Sequence, residues 1–97
     1  MKIIKNEEYY DILESSTHYL ETVDTFISAE KMKGELSVRD YQHYVESCDR
    51  DRHYAHEALM ISYRVYYRTT GQLIEHVDPY DRYAIANLAM YLIKKEL

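Results

Sequence analysis

The feature that most constrains the fold is a stripe of mostly apolar side chains, spaced alternately three and four residues apart, across positions 38–66. This spacing is the period of one face of an α-helix. The 97-residue chain contains only two glycines and one proline, so few residues would interrupt such a helix. The stripe consists of Val38, Tyr41, Val45, Cys48, Arg52, Ala55, Leu59, Ser62 and Tyr66. We therefore predict a long second helix within an all-α fold.

Turn and capping residues divide the chain into three predicted helices. Gly34 is suited to end the first helix, and Ser37 is suited to cap the second. Gly71 is suited to end the second helix, and Asp78 followed by Pro79 is typical of a helix start. The predicted helices cover about residues 6–32, 38–70 and 79–95 of one helical domain, residues 1–97.

The third predicted helix carries apolar or tyrosine side chains on every side from Tyr83 to Ile93. A helix of this kind is normally buried all round. Two partner helices leave part of it uncovered, so we expect an antiparallel three-helix bundle that is completed by dimerisation. The alternative is a kinked second helix that folds into a four-segment bundle. The candidate residues of the oligomer interface are Tyr63, Tyr66, Tyr67, Ile85, Leu88, Met90 and Leu92.

Arg52 occupies a place in the apolar stripe, where an unpaired guanidinium would be costly to bury. If the first two helices form a hairpin about the glycine between them, the polar Ser16 lies at about the same level. Asp49 and His56 lie three residues before and four residues after Arg52, within reach of its side chain. We expect the third helix to run back toward this level and bring Glu96 and the terminal carboxylate of Leu97 close. The group is interpreted either as a polar layer that specifies helix register or as a pocket for a small anion or carboxylate.

Composition and motifs argue against several classes of function. The formal net charge of −5 argues against general nucleic-acid binding, which depends on Lys and Arg. The single cysteine, Cys48, excludes an internal disulfide, and the longest apolar run, Ala84–Ile93, is too short to span a membrane. We therefore expect a cytoplasmic protein. The sequence has no Glu-x-x-His pair, phosphate loop or nucleophile elbow, so we expect no metal, no cofactor and no catalytic residue. A metal bound across a dimer interface is the alternative left open.

The second half of the chain contains an Arg-x-x-Ala-His-x-Ala-Leu core, followed by an Asp-Arg pair that opens the last predicted helix. The residues concerned are Asp49, Arg52, Ala55, His56, Ala58, Leu59, Asp81 and Arg82. In this pattern the stretch Asp49–Leu92 resembles a small bacterial family of helical proteins of unknown function. The resemblance implies that Arg52 and His56 matter to the family and suggests a mobile-element or phage context. It implies no activity.

Two functions follow as hypotheses from these observations. The first is a small non-enzymatic protein-interaction or regulatory protein, which self-associates through the third helix and the apolar end of the second and also binds a protein partner. The second is a ligand-binding or catalytic site for a small anion or carboxylate, built from Arg52, His56 and Asp49.

Overall fold

The computed structural model describes residues 2–96, which form three α-helices and no β-strand. Helix α1 spans Glu7–Glu30, α2 spans Val38–Thr70 and α3 spans Arg82–Glu96. The all-α prediction is confirmed. Helix α2 is one uninterrupted helix of 33 residues, so the four-segment alternative is not the arrangement adopted. Within residues 2–96, no helix combines the length and the hydropathy that a membrane-spanning segment needs.

The ends of α2 lie where the local sequence chemistry places them. The Ser37 side chain accepts a hydrogen bond from the backbone N–H of Asp40 at 3.2 Å, as an N-cap does. At the other end Gly71 has φ +70°, a left-handed conformation that ends the helix and that glycine adopts without a Cβ clash.

The start of α3 differs from the prediction. The helix begins at Arg82 rather than near Pro79, because Asp78 accepts a hydrogen bond from the backbone N–H of Tyr80 in a turn of its own. The first turn of α3 is instead capped by Asp81, whose Oδ1 atom accepts a hydrogen bond from the backbone N–H of Ala84 at 3.1 Å.

Contacts between α1 and α2 run in opposite sequence order along the two helices, as in a hairpin. They pair Tyr9 with Tyr66, Ser15 with Ser62, Tyr19 with His56, and Phe26 with Arg52. This register leaves the start of α2 beyond the end of α1, and no residue from Lys31 to Ser47 is buried. The core therefore lies at the opposite end of a molecule that measures 52 × 24 × 20 Å.

Helix α3 begins beside the middle of α2 and ends beside the start of α1. The His56 Nε2 atom lies 2.9 Å from the carbonyl oxygen of Arg82, and the Tyr9 hydroxyl donates to Glu96 Oε1 at 2.7 Å. The prediction that Glu96 approaches Arg52 is therefore wrong, and the expectation for the Leu97 carboxylate lies outside the described residues. The segment 71–81, and not α3, carries the chain back along α2.

A tight turn at residues 74–77 shapes this returning segment. The backbone N–H of Val77 donates to the carbonyl oxygen of Ile74 at 3.0 Å, and the two central residues, Glu75 and His76, have φ +52° and +59°. Positive φ at both central positions is the signature of a type I′ turn. The Tyr63 hydroxyl accepts from the N–H of Ile74 at 3.0 Å and donates to the carbonyl of Val77 at 2.6 Å, so it holds both ends of the turn.

The hydrophobic core is built from the first half of α1, the second half of α2, Ile74 of the returning segment and one side of α3. Its buried residues are Tyr9, Ile12, Leu59, Met60, Tyr63, Tyr66, Ile74, Ile85, Leu88, Ala89 and Leu92. The other side of α3 is exposed in the single chain, at Tyr83 (83% exposed), Asn87 and Met90 (62%). In the single chain α3 is therefore left partly uncovered, as expected for a helix with only two partner helices. The dimerisation that would cover this side stays a prediction.

Candidate functional site

Arg52 lies at the boundary between the helix pair and solvent. Its side chain is 34% exposed, its guanidinium carbon lies 4.6 Å from the centre of the Phe26 ring, and its Nη2 atom donates to Asp49 Oδ1. The Nε atom is buried and has no hydrogen-bond partner among residues 2–96. The cation is thus stacked on an aromatic ring and paired with a carboxylate, which offsets the cost of its partial burial.

Ser16 does not belong to this group. Arg52 contacts Phe26, which follows Ser16 by ten residues on α1 and so lies roughly 15 Å further along the helix axis. The expected layer of Ser16 and Arg52 is therefore wrong, because the connection 31–37 carries the chain past the end of α1 before α2 begins. Ser16 is fully buried on its own, and within the described chain its hydroxyl has no hydrogen-bond partner.

A groove opens where α1, the middle of α2 and the start of α3 meet. It has a volume of about 340 Å³ and is lined by Tyr19, Arg52, His53, His56, Arg82, Tyr83 and Ala86. His56 stacks on Tyr19, with ring centres 5.2 Å apart. Asp49 lies behind the groove, where it pairs with Arg52 and lies 3.5 Å from His53 Nε2. Three of the four predicted site residues, Asp49, Arg52 and His56, therefore come together.

The lining suits a negatively charged ligand. Two guanidinium groups and two imidazole rings face the groove, and its lining contains no carboxylate. Part of this positive charge is offset from outside, because Arg52 pairs with Asp49 and Arg82 lies 3.5 Å from Glu57. No serine, threonine or cysteine is among the residues that line the groove.

Arg82 and Tyr83 line the groove, although the sequence analysis assigns them only to the start of the third helix and not to the candidate site. The signal that would have found them is the direction of α3, which follows from the turn at residues 74–77. The sequence gives no indication of that turn, because Glu75 and His76 are not residues typical of a type I′ turn. The helical periodicity also does not extend into this segment.

A second surface feature lies on the side of α2 that faces away from the core. Tyr54, Ala58, Ile61 and Val65 form an exposed apolar row, which we name the outer stripe. Tyr54 is 68% exposed, Ile61 59% and Val65 43%. Their spacing of four, three and four residues places them on one helix face. The outer stripe explains why the second half of α2 is apolar nearly all round: one face packs in the core, and the other lies on the surface.

The predicted interface residues divide into two groups. Five are buried in the chain's own core, namely Tyr63, Tyr66, Ile85, Leu88 and Leu92. Their side chains are occupied by contacts within the chain. Tyr67 and Met90 are exposed. The exposed apolar row of α2 therefore lies on residues that the predicted interface did not include.

Comparisons of the chain with models of protein families, with curated proteins and with solved structures found no match. The resemblance of Asp49–Leu92 to a helical family therefore stays an interpretation of the sequence. Within residues 2–96, no group of three or more His, Cys, Asp or Glu side chains is arranged to hold a metal ion.

Proposed function

We propose that this protein is a small non-enzymatic helical interaction protein that associates with itself and with a protein partner. The observation that carries the proposal is the outer stripe of α2. Contiguous exposed apolar patches on a folded protein commonly mark contact surfaces. The stripe presents three large side chains, Tyr54, Ile61 and Val65, on one rigid helix.

Energetics support the same proposal. Complete burial of one aliphatic side chain of this size contributes about 1.5–3 kcal/mol. Ile61 and Val65 each keep about half of their surface in water in the single chain. A partner that covers both side chains therefore gains about half of the full burial free energy for each of them. The core need not rearrange, because the outer stripe faces away from it.

The acidic side of α1 is a further contact surface in the proposal. Glu7, Asp11, Glu14 and Glu21 are all exposed along this helix. A basic or polar protein surface is the complement of such a row.

We propose a cytoplasmic location, since the one cysteine, Cys48, is a free thiol.

The test is an association measurement on variants that place a charge on each exposed helix face. We expect wild-type protein to show a concentration-dependent increase in mass by sedimentation between about 1 and 500 µM, in the range of weak interfaces. Ile61→Asp should abolish the increase, because it would bury an unpaired carboxylate. Met90→Asp is the matched control, since Met90 is equally exposed but lies on α3.

Circular dichroism of both variants should match the wild type, because neither side chain lies in the core. A wild-type protein that stays monomeric over the whole range would overturn the self-association part of the proposal. Loss of association in Met90→Asp alone would move the contact surface to α3.

A second candidate function is binding of a small anion in the groove between the three helices. It is supported by the convergence of Arg52, Arg82, His53 and His56 on a cavity lined by no acid. Carboxylates and phosphates are the ligands that guanidinium groups hold best. We expect inorganic phosphate to shift the NMR signals of these residues saturably, and Arg52→Gln to remove the shift. Arg39→Gln, at an exposed arginine outside the groove, should bind as the wild type does. Equal loss in both variants would mean non-specific attraction.

A further inference from the structure

The outer stripe of α2 continues at both ends into a charged residue, and the whole row has coiled-coil spacing. Its members are Asp51, Tyr54, Ala58, Ile61, Val65 and Arg68, which we name the α2 seam. Successive members are three, four, three, four and three residues apart, the spacing of a and d positions in a heptad. All six residues are exposed. The seam is therefore a complete helix-pairing face with apolar residues at its centre and one charge of each sign at its ends.

The α2 seam is complementary to a second copy of itself when the two helices are antiparallel. The turning point lies midway between residues 59 and 60. Around it, Asp51 falls opposite Arg68, Tyr54 opposite Val65, and Ala58 opposite Ile61. Each end then places an acid against a base, and the centre places a small side chain against a large one.

We propose that a second copy of this chain docks on the α2 seam, with the two α2 helices antiparallel about a two-fold axis. The proposal rests on the proposed interaction function and specifies its surface, its occupant and its direction. Asp51 pairs with Arg68 of the partner subunit, and the same pair forms again at the other end. Neither residue has a salt-bridge partner within residues 2–96, so both are available for it.

Charge distinguishes the antiparallel arrangement from the parallel one. Parallel seams would place Asp51 against Asp51 of the partner subunit and Arg68 against Arg68 of the partner subunit. Like charges placed directly across an interface oppose association. The antiparallel arrangement converts both repulsions into attractions. It also uses the same surface of each copy, so the interface closes on itself and yields a dimer rather than a filament.

The size of the seam predicts a reversible dimer. From Asp51 to Arg68 the seam is about 26 Å long, and a helix with its side chains is about 10 Å across. A contact of this length on one helix is smaller than the roughly 800 Å² per partner of a standard stable interface. The dimer is therefore expected to dissociate on dilution in the micromolar range.

Charge reversal with rescue is the first test. In sedimentation equilibrium, Asp51→Arg and Arg68→Asp should each weaken dimerisation at least about tenfold, since each creates two like-charge contacts per dimer. The double variant Asp51→Arg/Arg68→Asp restores opposite charges and should return to within about threefold of the wild type. Asp24→Arg and Arg39→Asp are matched controls at exposed positions outside the seam, and they should dimerise as the wild type does. Failure of the double variant to recover would overturn the proposed pairing.

Cysteine cross-linking is the second test, and it reads the direction of the helices. An oxidised mixture of Ala58→Cys and Ile61→Cys proteins should give disulfide-linked dimers that contain one copy of each variant. Wild type is the control and should remain uncross-linked, because Cys48 is buried. Efficient cross-linking of Ala58→Cys with itself, without the mixed product, would indicate parallel helices and overturn the proposal.

The two proposals fail in different ways. If Ile61→Asp dissociates the protein but charge rescue and mixed cross-linking both fail, the interaction function stands and the antiparallel seam is wrong. If the wild type is monomeric at every concentration, the seam proposal and the self-association part of the function fall together. If charge rescue and mixed cross-linking both succeed, they support an antiparallel pair of α2 helices with a two-fold axis between residues 59 and 60.

Discussion

At the scale of single residues, the hydrogen bonding of buried hydroxyl groups decides whether a side chain stabilises or destabilises the fold. Ser16 is enclosed on α1, and its hydroxyl has no hydrogen-bond partner within residues 2–96, whereas the adjacent Ser15 shares a hydrogen bond of 2.9 Å with Ser62. A buried hydroxyl without a partner costs about 1–3 kcal/mol of desolvation. Two neighbouring serines on one helix therefore contribute to stability with opposite sign.

This contrast gives a residue-scale prediction. Ser16→Ala should be more stable than Ser15→Ala by about 1–2 kcal/mol, because the first change removes an unsatisfied hydroxyl and the second removes a satisfied one. The gain in helix propensity from serine to alanine is common to both variants and cancels in the comparison. Urea denaturation followed by circular dichroism measures the difference. Equal stability of the two variants would mean that the Ser16 hydroxyl is satisfied in solution.

The tyrosines at this scale separate into two roles. Tyr9, Tyr63 and Tyr66 are fully buried, and burial raises the pKa of each phenol above its ordinary value. Their hydroxyls stay protonated and act as donors to the Glu96 carboxylate, the Val77 carbonyl and the Ile4 carbonyl. These three phenols thus fasten the segment before α1, the turn before α3 and the last residue of α3 to the core. Others, such as Tyr54 and Tyr83, lie on the surface.

At the scale of elements, the turn at residues 74–77 determines where α3 begins. A non-glycine residue in the left-handed region costs roughly 1 kcal/mol or more, and Glu75 and His76 both adopt it. The Tyr63 hydroxyl offsets this cost by bonding to the residue on each side of them. One phenolic oxygen of α2 therefore holds both ends of the turn that precedes α3.

Tyr63→Phe tests the role of this oxygen. The substitution keeps the ring in the core but leaves the Ile74 N–H and the Val77 carbonyl without their partner, so we expect a loss of about 2 kcal/mol in the free energy of unfolding. Hydrogen exchange should rise first in residues 71–81. Tyr83→Phe removes a hydroxyl from an 83% exposed ring and should leave stability unchanged. A similar loss in both variants would contradict the role given to the turn.

At the scale of the whole molecule, the start of α1 and the end of α3 are fastened together. The Glu96 carboxylate accepts a hydrogen bond from the Tyr9 hydroxyl and lies 3.3 Å from the Lys5 ammonium. The hydrogen bond from Tyr9, reinforced by Lys5, holds the pKa of Glu96 below its ordinary value of 4.5. Because the folded pKa is the lower one, ionised Glu96 stabilises the fold above pH 4.5. This contribution is lost as the pH falls below 4.5 and through the folded pKa.

The corresponding prediction concerns the acid side of the stability profile. At pH 7, Glu96→Gln should be less stable than the wild type, and the gap should narrow as the pH falls below 4.5 and through the lower pKa of the folded state. Chemical denaturation at several pH values measures the gap. Glu35→Gln, at an exposed residue of the connection between α1 and α2, serves as the control and should show no such change. A gap that is constant with pH would contradict the linkage.

Local chemistry in the chain accounts for the helical class and for the ends of α2. Ser37 and Gly71 act within one turn of helix, so their hydrogen bond and backbone conformation follow from the residues themselves. The same is true of the grouping of Asp49, Arg52 and His56, which are neighbours on one helix. The helical class is confirmed because it needs no knowledge of how the helices meet, whereas the role of the Asp49, Arg52 and His56 group stays a prediction.

The relative placement of the helices required the folded chain. A three-and-four spacing defines one face of a helix, but it repeats at every turn and so does not specify which residues of two helices lie at the same height. For this reason Arg52 contacts Phe26 and does not lie beside Ser16. Likewise, apolar residues on all sides of α2 gave no indication of which face packs inward and which becomes the outer stripe. Those choices depend on the sum of many small packing energies across the core and on a turn whose two ends are hydrogen-bonded to a buried phenol.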